Sequence, residues 1–87
     1  MRKQDRNVII SLLKISKTVD SYDFKVSRYD HLLSNIADDT GYKVAGVENI
    51  MHSLHKSKKV SVHMIPDYTV IIIHKKAIDE LIEDLTI

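Results

Sequence analysis

Five histidines and no cysteine set the chemistry that this 87-residue chain can attempt. His52 and His55 stand three positions apart, where one helical face carries both imidazoles, and His63 and His74 follow in β-rich sequence. A zinc ion wants a third or fourth ligand from an adjacent element, and no carboxylate stands clearly in register with this pair. Surface or partly buried histidine is the expectation, with no metal. The acids come as neighbours, Asp38-Asp39 and Glu83-Asp84. Adjacent helix positions point to different faces, so these pairs read as capping or solvated charge, not as an acid and its base. A glycine-rich phosphate loop, a nucleophile elbow and a Cys-His pair are all missing. No catalytic residue and no cofactor are expected, and the chain is not read as an enzyme.

Composition points to one domain. Apolar residues make up 44% and charged residues 29%, ordinary for a globular chain. Two Gly and one Pro suit a helix-rich chain with short connections. Without Cys there is no disulfide frame, which fits a cytoplasmic protein. The opening MRKQDRNVIISLLKIS is basic and then apolar, but Ser11, Lys14 and Ser16 interrupt it and no small-residue cleavage site follows. No run approaches a membrane span of about 20 apolar residues. Net charge is only +1, yet it is unevenly laid out. Residues 1–28 carry seven bases and three acids, 29–55 one base and four acids, 56–65 three bases, and 66–87 two bases and five acids. The blocks are therefore +4, −3, +3 and −3, which suggests a basic and an acidic face.

These side chains need elements to hold them. Val8, Ile9, Leu12, Leu13 and Ser16 share a face at helical spacing, predicting a helix over Asp5–Lys17. Asp20 to Asp23 reads as a loop and Phe24-Lys25-Val26 as a short strand. Ser27 is the expected N-cap of a second helix, with Asp30 at the capping-box position. That helix turns Tyr29, Leu32, Leu33, Ile36 and Ala37 inward and ends at Gly41, a residue free to take positive φ. A third helix begins near Val44 or Ala45, runs to about Ser57, and buries Val47, Ile50, Met51 and Leu54. VSVHMI and TVIIIH flank Pro66-Asp67-Tyr68 and read as a hairpin. The last helix, about Lys75–Leu85, is expected to pack Ala77, Ile78, Leu81, Ile82 and Leu85.

The spacing inside IADDTGYKVAGVENI has a steric cause. Two helices crossing steeply at short range need a small side chain at the crossing, here Ala37. Four positions later the turn needs a positive-φ residue, here Gly41. Branched apolar residues must then return to the crossing, here Val47 and Ile50. With Ile36, Leu54, the basic run Lys56–Lys59 and the Val60–His74 hairpin, residues 28–74 resemble the winged helix-turn-helix domains of small prokaryotic, archaeal and viral transcription regulators. The resemblance implies an α+β, mainly helical single domain over 1–87. The helix-turn-helix falls at about 28–58, the wing at 60–74 and a C-terminal helix at 75–85.

The resemblance also implies double-stranded DNA as partner, with the third helix in the major groove. Lys43, Ala45, Gly46, Glu48, Asn49, His52 and Ser53 then face the bases. Asn49 is the best reader, because its amide pairs bidentately with adenine. Thr40, Lys56, Lys58, Lys59, Arg2, Lys3 and Arg6 are the implied backbone contacts. Asp67 and Tyr68 at the wing tip depart from the Arg or Lys that often enters the minor groove. Three consecutive Ile in TVIIIH predict that both faces of that strand are covered. Wide apolar stripes on the terminal helices predict a homodimer built on them. The alternative is a protein-interaction winged helix, a phage or host factor docking on transcription or replication machinery.

Overall fold

The computed structural model describes residues 1–19 and 22–86. Its order is α1 (Lys3–Val19), β1 (Asp23–Val26), α2 (Tyr29–Thr40), α3 (Val44–Lys56), β2 (Val60–Ile65), β3 (Tyr68–Ile73) and α4 (Lys75–Thr86). The expected loop positions Asp20 and Ser21 lie outside the described residues. The fold is α+β and mainly helical, four helices on a small antiparallel sheet with strand order β1-β3-β2. Among the described residues no helix is long and apolar enough to cross a membrane.

The core follows the helical spacing. Val8, Ile9 and Leu12 of α1, Ile36 of α2, and Val47 and Met51 of α3 are fully buried, and Ile71 of β3 closes the layer from the sheet side. Ala37 is 7% exposed at the α2–α3 crossing, where a larger side chain would push the helices apart. Gly41 ends α2 at φ 80°, and its N–H reaches Ala37 O at 2.8 Å. A side chain is disfavoured there by the backbone alone, since an added Cβ meets nothing within 4 Å.

β3 alternates buried Thr69, Ile71 and Ile73 with half-buried Val70 and Ile72. It is the central strand, so neighbours on both sides shield its outer face, and three consecutive Ile need no second layer to cover them. The hairpin register pairs Ile65 with Tyr68 across Pro66-Asp67. Neither turn residue has positive φ, which excludes the usual primed two-residue hairpin turns; Pro66 could not adopt them anyway.

Two expectations need correction. Arg28, not Ser27, is the N-cap of α2, and no side chain caps the helix. Asp30 is held instead by the Arg28 guanidinium at 2.7 Å, so no capping box forms. In α4, Ala77 and Leu81 are buried and Ile78 is half-buried, whereas Ile82 and Leu85 are 53% and 61% exposed. Ile82 and Leu85 lie on a flank of α4 that turns away from the core, so apolar periodicity there does not mean packing within the chain.

Candidate nucleic-acid interface

One side of α3 is anchored by Val47, Met51 and Leu54, with Ile50 partly buried beside them. The other side is open. Lys43, Ala45, Asn49, His52 and Ser53 are exposed and Gly46 is half-buried. None of these side chains has a hydrogen-bond or ionic partner among the described residues. Lys43 opens the helix in extended backbone (φ −71°, ψ 149°) without a capping side chain, so the first N–H groups of α3 also lack a side-chain acceptor.

Glu48 stands on the same outer side and likewise has no cation partner among the described residues. Its carboxylate is felt by Tyr29 on α2. Burial, and then this negative charge, push the Tyr29 phenol above its ordinary pKa.

The far end of α3 closes in a six-residue backbone motif. Lys58 N–H donates to His55 O at 3.1 Å and Lys59 N–H to Leu54 O at 3.0 Å. The residue that makes this turn, Lys58, sits at φ 63°, a conformation normally left to glycine. Lys56 and Lys58 are exposed.

At the other end, Asn7 Nδ2 donates to Tyr42 Oη at 2.8 Å and ties the start of α1 to the α2–α3 turn. Arg2 and Lys3 are exposed and Arg6 is half-buried within about a turn or two of that tie. The basic N-terminal block and the start of α3 therefore share one end of the molecule.

Two of the expected backbone contacts are already engaged. Lys59 Nζ lies 3.0 Å from the Glu80 carboxylate of α4 and is only 17% exposed, so its charge is spent inside the chain. Thr40 Oγ1 donates to Ile36 O at 2.7 Å and accepts the Tyr42 N–H at 3.3 Å, which leaves no proton for a phosphate. At the tip of the β2–β3 hairpin Asp67 is exposed, and the Tyr68 ring lies under Lys25 Nζ at 4.8 Å.

The histidines do not converge on a metal. Among the described residues no three His, Asp or Glu groups come together to hold an ion. His55 Nδ1 instead accepts the Val62 N–H of β2 at 3.0 Å, and its ring meets His63 edge-on at 6.3 Å between centroids. Ser61 Oγ and His74 Nε2 lie 2.6 Å apart across the β2–β3 ladder. By residue type this is a nucleophile and its base, but no carboxylate hydrogen-bonds His74 among the described residues. Sequence reading missed that pair, although the two-residue turn contained it: with Ile65 opposite Tyr68, Ser61 faces Ile72 and sits diagonal to His74. Comparisons with family models, with curated proteins and with solved structures find no match for the chain.

Proposed function

We propose that the chain is a winged helix-turn-helix module that binds double-stranded DNA sequence-specifically and regulates transcription inside the cell. The observation that carries this reading is the unpartnered outer face of α3, held rigid from behind by three buried residues. The winged-helix assignment rests on the helix order and on a hairpin that follows the third helix and takes β1 as its third strand. In this reading α3 lies in the major groove and Asn49 reads adenine, with His52 and Ser53 beside it. Arg2, Lys3 and Lys43 hold phosphates at one end, and Lys56 and Lys58 at the other. Glu48 opposes phosphate in the middle, so affinity comes from the two ends of the helix. Ile78, Ile82 and Leu85 supply an apolar seam for a homodimer through α4.

Selection of bound fragments from random duplex DNA tests this directly, and a palindromic motif is the expected result. Binding should weaken with salt at a slope of about −4.5 on a log–log scale if five phosphates are neutralised. Asn49→Ala should flatten sequence preference more than it lowers affinity for random DNA. The same α4 seam supports the second reading, a protein-docking module, because exposed Asp79 and Glu83 flank it. No selected motif, together with one stoichiometric, nuclease-resistant protein partner, would favour that reading.

A further inference from the structure

A groove of about 430 Å³ lies between the outer edge of α3 and the core side of β2. Pockets for small organic ligands begin at about 300 Å³. Val62 and Met64 give the groove an apolar side, over the fully buried Met51. The register places Val62 across from Ile71, and Met64 across from Thr69, both inward-facing residues of β3. Met64 is nevertheless 69% exposed. The core therefore stops short of the end of the hairpin and leaves a methionine lining an open slot. The walls are Tyr29 from α2 and Glu48 from α3.

Charge decides what suits this slot. Glu48 has no cation partner among the described residues, and its field reaches the half-buried Tyr29 phenol. A tyrosine ring attracts cations through its negative face, and a methionine sulfur packs well against aromatic rings. We propose that the groove binds a small, flat aromatic monocation, its ring against Met64 and Tyr29 and its charge toward Glu48. Asn49, His52 and His55 border the same groove, the last with its Nδ1 taken up by the Val62 N–H. Ligand and DNA then compete for α3, which makes the ligand a negative effector; that consequence alone rests on the DNA reading.

Rhodamine 6G, a flat lipophilic cation, tests the site by fluorescence polarisation with the purified chain and no DNA present. Saturable binding is expected, with anionic fluorescein bound at least tenfold more weakly. Glu48→Gln should weaken the dye about fivefold, the upper size of a charge contact at an exposed site. Met64→Ser should weaken it by a similar factor, and Asp79→Asn, in α4 and outside the groove lining, should leave it unchanged. Both site residues are exposed, so both variants keep the fold. No saturation by about 1 mM, an unchanged Glu48→Gln variant, or equal binding of fluorescein would each overturn the proposal. A dye that binds and is not displaced by a selected duplex would overturn only the competition. Failure of the DNA selection, in turn, leaves the dye experiment standing.

Discussion

Replacing Lys58 by glycine should make the protein more stable and a weaker binder of DNA at once. Lys58 is the one non-glycine residue with positive φ among the described residues, and it closes α3 through two backbone hydrogen bonds. A left-handed conformation costs an L-residue about 1–2 kcal/mol. Glycine removes that strain but adds about 0.5–1 kcal/mol of chain entropy to the unfolded state. The net gain is about 0.5–1 kcal/mol. For a domain of this size that raises the melting temperature by about 2–8 °C. In the proposed DNA complex the lost ammonium removes one phosphate contact, which flattens the salt slope by about 0.9. Lys58→Ala separates the two effects, because alanine loses the charge and keeps the strain. Circular dichroism melts and fluorescence polarisation at several salt concentrations measure both. The expected pattern is equal DNA binding by the two variants and higher stability for glycine only. Equal melting temperatures would refute the left-handed turn. Undiminished DNA binding by both variants would remove Lys58 from the interface.

Three other outcomes follow from the same physics. Gly41→Ala should cost about 0.5–1 kcal/mol in urea unfolding, the strain of the positive φ less the chain entropy that alanine removes from the unfolded state, because the added methyl meets no atom. Met51→Ala, at a fully buried position between α3 and the sheet, should cost about 2–5 kcal/mol. Asp39 is held below its ordinary pKa, first by the hydrogen bond from the Lys14 ammonium and then by one from the Ser11 hydroxyl. A depressed folded pKa stabilises above the unfolded value of about 3.9 and is lost as pH falls through the folded value. Lys14→Ala should therefore lower the urea midpoint near neutral pH, and wild type and variant should converge once acid has protonated Asp39 in both.

Local chemistry was legible where it decides the structure alone. Ala37, Gly41 and Val47 occupy their expected places because crossing, turn and return are fixed by sterics within a dozen residues. The α2 cap was misread because serine's preference for capping lost to a competing partner: the Arg28 guanidinium took the Asp30 carboxylate that a capping box needs. Lys59 and Glu80 pair across 21 positions, and nothing in either segment alone points to the other. Ile82 and Leu85 carry a helical period that reports an apolar face without saying what lies against it. Within the candidate interface, the open face of α3 was readable because its buried stripe was. Which lysines stay free depended on tertiary pairing and was not.

The hydrogen bond from Val62 to His55 bears on how the protein behaves in solution. β2 is an edge strand, and an unpaired edge is a template on which another chain can add. His55 occupies one of its outward N–H groups and so acts as a plug against sheet extension. An imidazolium has two donors and no acceptor, so the plug works only while the ring is neutral. Replacing His55 by alanine should therefore open the edge and promote sheet-mediated aggregation.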